Sequence, residues 1–262
     1  MDKFRDITFN GRTLHSFGFF LKKGTPIIDF PPREVSTTLI AGSVVGDAIT
    51  DKGTYGNIER TYSFRTIPSQ IPKAGEGEFL KSFIEWAKDN RDSYGKLYDT
   101  ARRGYFCNAF LKEITDFTKT GNFYDVTLKF SCQPYWYLES GMDTIKKTSP
   151  STSPFSFDLV NPESFTSYPY FKLSFSSATV SAPTVTLTVN DNSLVLTGIT
   201  DYIEIDSEIM QVFKGNVPKN NVLSSTSIPK LPEFKSGINE ITITPTDPAR
   251  WTVECVPRWR CM

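Results

Sequence analysis

The chain has 262 residues, with 39% hydrophobic and 22% charged, and its 29 basic and 29 acidic side chains give a formal charge of +0. This is a globular composition long enough for two domains, and the balanced charge argues against an electrostatic nucleic-acid binder, which needs a basic face to displace phosphate counterions. No run of about eighteen apolar residues is present, so no membrane span is expected, and the opening Met-Asp-Lys-Phe-Arg-Asp lacks the apolar core of a secretion signal.

In chain order, residues 3–9 and 12–21 read as strands joined by a tight turn at Asn10-Gly11. Pro31-Pro32 breaks the chain before a β-branched stretch, Arg33 to Ile40. Residues 41–57 are rich in Gly and Asp, and Ile58 to Ile67 resumes a strand with Tyr62 and Phe64 on one face and Ser63 and Arg65 on the other. The two strands and the loop between them predict a long β-hairpin. From Glu76 to Lys88, Phe79, Leu80, Phe83, Ile84, Trp86 and Ala87 recur at helical spacing, which predicts one amphipathic helix. A lone helix among strands buries its stripe against a sheet. Phe123 to Tyr137 alternates strictly: Tyr124, Val126, Leu128, Phe130 and Cys132 point one way, and Asp125, Thr127, Lys129 and Ser131 the other. Pro134 is expected to end regular pairing.

Residues 140–156 are small, polar and interrupted by two prolines, the best linker in the chain. They divide it into an N-terminal β domain, 1–139, and a C-terminal domain, 157–262. The second half is nearly all β. Val185, Leu187 and Val189 alternate with threonines, and Asn190-Asp191-Asn192 turns the chain into Ser193–Thr197. Further strands fall at Ile203 and Ile205, at Ile209 to Phe213, at Ile241 and Ile243, and at Trp251 to Val256. Short strands with regular turn signals predict an antiparallel sandwich.

Catalytic chemistry is sparse. His15 is the only histidine and sits in a strand-like segment beside Ser16, with no neighbour suggesting a triad. Asp201, Glu204, Asp206 and Glu208 cluster but fit no calcium loop, and alternation places the last three on the outer side of a strand. Cys107, Cys132, Cys255 and Cys261 match no zinc spacing and are expected to be reduced and mostly buried. There is no Walker A loop or dinucleotide fingerprint. No catalytic residue, metal ligand or cofactor site is assigned, and the chain is read as a non-enzyme.

Several segments occur in a telling order. Tyr124-Asp-Val-Thr-Leu-Lys-Phe-Ser-Cys-Gln-Pro-Tyr-Trp-Tyr137 closes the first half. Asn161-Pro162 and Ser167-Tyr168-Pro169-Tyr170 follow, then Tyr202-Ile-Glu-Ile-Asp-Ser-Glu-Ile-Met210, Gly237-Ile-Asn239 and Pro257-Arg-Trp-Arg260. Taken together, the chain resembles the distal tail proteins of long-tailed bacteriophages that infect Gram-positive bacteria. The resemblance implies a mainly β protein of two domains: an N-terminal β domain with one α-helix and a long β-hairpin, and a C-terminal galectin-like β-sandwich. It also implies a homo-hexameric ring in the virion, at the phage tail tip. That ring joins the tail tube protein to the tail-associated fibre or lysin protein and to receptor-binding or baseplate proteins. Assembly would take place in the host cytoplasm.

In such a ring one patch meets a different patch on the next copy. The hairpin is the expected contact, through Leu39, Ile40, Val44, Val45, Ile58 and Tyr62. A lectin-like module binding host cell-wall polysaccharide is the alternative. Residues 214–237 are too short to hold an inserted carbohydrate-binding module.

Overall fold

The computed structural model describes residues 5–22, 30–38, 48–66, 76–88, 93–150, 153–176, 181–224 and 230–262. The chain divides into two compact units, residues 1–136 with Met262 and residues 137–261.

The first unit contains β1 (Ile7–Phe9), β2 (Arg12–Thr13), β3 (Phe19–Leu21), β4 (Arg33–Thr38), β5 (Ala48–Tyr55), β6 (Ile58–Thr66), the helix α1 (Glu76–Lys88), β7 (Gly95–Asp99), β8 (Tyr105–Thr120) and β9 (Phe123–Leu138). The main sheet runs β2-β1-β7-β8-β9-β6-β3. Asn10 and Gly11 both have positive φ, 51° and 72°, which gives the β1–β2 turn the backbone twist that a tight hairpin needs. In β9 each inward residue expected from alternation is buried, Tyr124 through Cys132. Its partner β6 buries Ile58, Arg60, Tyr62, Phe64 and Thr66, in a register that sets Tyr62 beside Leu128 and Phe64 beside Val126.

The helix covers one face of this sheet with aromatic side chains. Phe83 packs 4.9 Å from Phe19, Trp86 meets Phe9 edge-on at 6.1 Å, and the Trp86 indole donates to the Phe9 carbonyl at 2.9 Å. Burying each such side chain contributes about 1.5–3 kcal/mol, and edge-on ring pairs add about 0.5–1.5 kcal/mol. The helix bounds match the sequence expectation, but Ile84, assigned to the stripe, is 41% exposed. It falls at the margin of a stripe already filled by Phe83, Trp86 and Ala87.

Three other expectations are corrected. The hairpin is β4–β5, which pair with one another as a separate two-stranded sheet. The 58–66 strand instead lies between β9 and β3, because its alternating apolar face matches β9 residue for residue. Pro134 does not end β9, which continues to Leu138. His15 lies in a 3-10 turn, Leu14–Phe17, that Thr13 caps and Gly18 (φ 74°) closes, so it is not on a strand.

The second unit contains β10 (Ile145–Thr148), β11 (Phe155–Asn161), β12 (Tyr170–Ser176), β13 (Val185–Val189), β14 (Asn192–Leu196), β15 (Tyr202–Asp206), β16 (Gln211–Lys214), β17 (Val217–Pro218), β18 (Gly237–Pro245), β19 (Arg250–Val256) and β20 (Arg260–Cys261). Two antiparallel sheets form, ordered β10-β19-β12-β15-β16-β17 and β11-β18-β13-β14. Their inner faces share one core. Phe171, Leu173, Ile205, Trp251 and Val253 come from the first sheet, and Leu187, Leu194, Ile241 and Ile243 from the second. This is an antiparallel β-sandwich. The segment expected as a linker belongs to it: β10 lies within residues 140–156 and pairs with β19 along its whole length. A polar composition reads as a linker, but a strand at a sheet edge tolerates the same residues.

Candidate functional site

Two of the ordered sequence segments meet in the second unit. β15 ends at Asp206, whose Oδ1 accepts the backbone N–H groups of Glu208 at 3.0 Å and Ile209 at 3.4 Å and so fixes the turn into β16. Arg258 reaches this turn from the chain's last segment. It donates to both Asp206 oxygens, at 2.6 and 2.9 Å, and its Nη1 stands 3.1 Å from Glu208 Oε2. The Tyr137 hydroxyl donates to Glu208. Burial disfavours the Arg258 charge, yet the Asp206 bonds raise its pKa overall. Burial, and then the Glu208 carboxylate, push the Tyr137 hydroxyl upward. The planar fork of arginine matches a carboxylate at two points, which lysine could not do.

Asp206 was expected on the outer side of its strand and is instead 8% exposed. Alternation stops where the strand does, and the turn folds its carboxylate inward under Arg258. Two members of the acidic cluster, Asp206 and Glu208, are therefore taken up by an internal cation. Among the described residues, no group of three or more His, Cys, Asp or Glu side chains could hold a metal ion.

The remaining segments are also structural ties. Trp259 is buried against Phe234, with ring centroids 5.3 Å apart. Gly141 packs so closely on Trp259 that a Cβ there would stand 2.7 Å from its backbone nitrogen. Arg258 has φ 57° and donates its N–H to the Gly141 carbonyl at 2.7 Å. Arg260 lies 4.5 Å over the Tyr168 ring and donates to the Thr166 carbonyl at 2.7 Å. Asn161 bonds the Phe165 carbonyl and the Glu163 N–H, and Asn239 bonds Lys235 at both backbone groups. Each satisfies buried backbone groups at a turn.

In the first unit, four of the expected contact residues, Leu39, Ile40, Val44 and Val45, lie outside the described residues. The other two do not face solvent: Ile58 is 6% and Tyr62 2% exposed. They fill the inner face of β6 and are not available to a neighbouring surface. The Tyr62 hydroxyl donates to Asp99, which Arg5 also binds, at 2.5 Å. Burial, and then the Asp99 charge, hold the Tyr62 pKa well above its ordinary value.

An open cleft of about 530 Å³ is lined by Gly11, Arg12, Thr13, Ser16, Phe17 and Ser82. It brings together hydroxyls and one guanidinium, with no carboxylate or imidazole to move a proton. The His15 ring meets the Phe20 ring edge-on at 4.8 Å, and its backbone N–H donates to Asp6.

No family model and no curated protein matches the chain. One of the similar solved structures matches over nearly the whole length. It is the SPP1 Dit (gp 19.1) protein, described as a paradigm of hub adsorption apparatus in Gram-positive infecting phages. The TM-score is 0.67 at 15% identity, covering 99% of this chain and 100% of that one. The chain shares its fold with SPP1 Dit. The phage P2 baseplate in its activated conformation is a weaker match, with TM-scores of 0.49 and 0.48 at 8% and 9% identity, covering 95% of this chain and 97% of those.

Sequence reasoning missed the pairing of Asp206 with Arg258, 52 residues away. It also missed the Arg5–Asp99–Tyr62 cluster and the stacking of Arg60 and Arg102 on Trp136, at 4.7 and 5.3 Å. The signal available for the first was a Pro-Arg-Trp-Arg segment and an Asp-Ser-Glu segment in one sandwich, charged residues bracketing buried ones. The other two join segments with no local pattern that pairs them.

Proposed function

We propose that the chain is a structural component of a phage tail tip: a hub of six copies closed into a ring. The ring joins the tail tube to the tail-associated fibre or lysin protein and to receptor-binding or baseplate proteins during host adsorption. The observation that carries this reading is the fold shared with SPP1 Dit over 99% of this chain and 100% of that one. The charged and buried clusters agree with it. Asp206, Glu208, Asp99 and Asp125 are each held by an arginine, so these four acids act as ties. On this reading the protein resides in the virion, at the tail tip, and is assembled there in the host cytoplasm.

The ring contact is assigned to the β4–β5 hairpin and the residues between its strands. Among the described residues β4 and β5 pair only with each other, Val35 is 43% exposed, and nearby Phe30 is 82% exposed. A two-stranded ribbon is marginal alone in water, and a neighbouring subunit would cover it. Light scattering and negative-stain imaging of the purified chain, alone and with tail tube protein, test the proposal. A six-membered ring that Val35→Asp and Phe30→Asp shift toward monomer is the expected result. A monomer that persists with its tail partners present would refute it.

A further inference from the structure

The second unit has four sheet edges, and three are closed. β10 carries Lys146 and Lys147, β17 is two residues long and ends in Pro218, and β14 is covered by the 222–224 segment. That cover is hydrogen-bonded at both ends: Thr197 donates to the Val222 carbonyl at 2.8 Å, and Ser224 donates to the Val195 carbonyl at 3.1 Å. Lysines, proline, short length and covering segments are the devices by which proteins blunt edges. Among the described residues β11 has none of them. It is seven residues, Phe-Ser-Phe-Asp-Leu-Val-Asn, with no lysine or proline, and among the described residues it pairs on one side only, with β18.

The outer face beside that edge is equally unfinished. β11 and β18 set Val160 opposite Ile238, 61% and 72% exposed, and Asp158 opposite Glu240. Like charges directly opposite across a sheet are destabilising. Neither carboxylate forms an ion pair with a described residue. The other sheet shows the contrast. Its outer row runs Lys146, Glu254, Lys172, Glu204 in register, signs alternating, with Lys146 and Glu254 2.9 Å apart. One face thus balances its charges internally, and the other leaves a negative pair beside an aliphatic pair.

We propose that the open edge of β11 receives an extended segment of a partner protein, adding a strand to this sheet. The segment carries a basic side chain beside Asp158 and an aliphatic one beside Val160, two residues apart so that both project from the outer face. A second copy of β11 fits poorly. Antiparallel self-pairing about the strand's centre would set Asp158 against Asp158, with two Glu240 carboxylates flanking them. This inference concerns the second unit alone and goes beyond the ring contact assigned to the first.

Hydrogen exchange of the full chain, read by mass spectrometry over residues 155–161, tests it. The probe is a short synthetic peptide alternating threonine with valine around a central lysine, and its counterpart has glutamate in place of lysine. The lysine peptide at millimolar concentration should slow exchange in β11 by roughly tenfold, and the glutamate peptide should not. The double variant Asp158→Asn, Glu240→Gln should lose that preference without any fall in its unfolding midpoint, since it removes a repulsion. Val160→Lys should block protection by placing a gatekeeper charge on the edge. The proposal is overturned by unchanged exchange in β11, by equal protection from both peptides, or by a fall in the double variant's midpoint. It is equally overturned if calcium or magnesium ions alone, or raised protein concentration alone, protect β11.

Discussion

Removing the Arg258 side chain should destabilise the second unit by about 3 kcal/mol. Arg258→Ala deletes two short bonds to Asp206 and strands a carboxylate whose side chain is only 11% exposed. Breaking one partner of a fully buried pair costs about 3–5 kcal/mol. Arg258 and Glu208 retain side-chain exposures of 17% and 34%, which admit water and place the expected loss at the lower end. A second variant separates side chain from backbone. Arg258 sits at φ 57°, where glycine is at ease and alanine is not. Arg258→Gly should therefore be more stable than Arg258→Ala by about 1 kcal/mol, although both lack the fork. Urea unfolding followed by hydrogen exchange in β15, β16 and β19 reads this unit alone. With a slope of about 2 kcal/mol per molar, the alanine variant's midpoint should fall by roughly 1–2 M. A shift below about 0.3 M would mean that desolvation cancels the attraction, and the account of the cluster given above would be wrong.

Three further outcomes are expected. Gly141→Ala should cost about 1–3 kcal/mol in the same assay, because its Cβ would press on the Trp259 backbone at 2.7 Å; an unchanged midpoint would show that this contact relaxes freely. Asp125 is held well below the usual carboxylate range by Arg65 first and then Lys22. A depressed acid contributes stability above its unfolded value, 3.8, and loses it as pH falls toward the folded value, so Asp125→Asn should flatten the acid limb of a stability–pH curve below about pH 4. High salt should shrink that difference, and an identical acid limb would contradict the assignment. Iodoacetamide should label Cys261, which is half-buried, before the other three thiols. The Cys107 hydrogen bond, followed by burial, raises the Cys132 pKa, and burial raises that of Cys255; peptide mass mapping over time checks the order.

Legibility in the sequence followed the range of the interactions. The helix Glu76–Lys88 and strand β9 were readable to within a residue or two, because each carries its own period and one uninterrupted apolar face. β8 was not read as a strand. Its burial pattern loses alternation after Phe110, and Asp116 takes φ 53° within it, so no clean two-residue period survives. The first strand of the hairpin is placed correctly from sequence, but its second, 48–55, reads as part of the loop and 58–66 as the returning strand. Both 48–55 and 58–66 follow β4, and only the match of Tyr62 and Phe64 to the β9 face assigns the second to the main sheet. The expected interface residues Ile58 and Tyr62 failed for the same reason: an apolar strand face serves a core or a partner equally well, and composition does not choose. Asp206 read as outward because alternation was carried through the last residue of β15, where the turn breaks it and Ile205 and Asp206 are both buried.

The position of β19 bears on how the second unit comes into being during synthesis. This strand lies between β10 and β12, so the sheet's order places residues 250–256 beside residues 145–148 and 170–176. Until the ribosome has released residue 256, β10 has no neighbour and β12 lacks one flank, whereas the seven strands β2-β1-β7-β8-β9-β6-β3 of the first unit's main sheet have been made by residue 138, and only the two-residue β20, which pairs with β9, comes later. The first unit can thus fold while the chain is still growing, and the second must wait for its last strand. A nonsense mutation between residues 140 and 250 should then yield a product with a folded first unit and an unfolded second one, a natural substrate for cellular proteases.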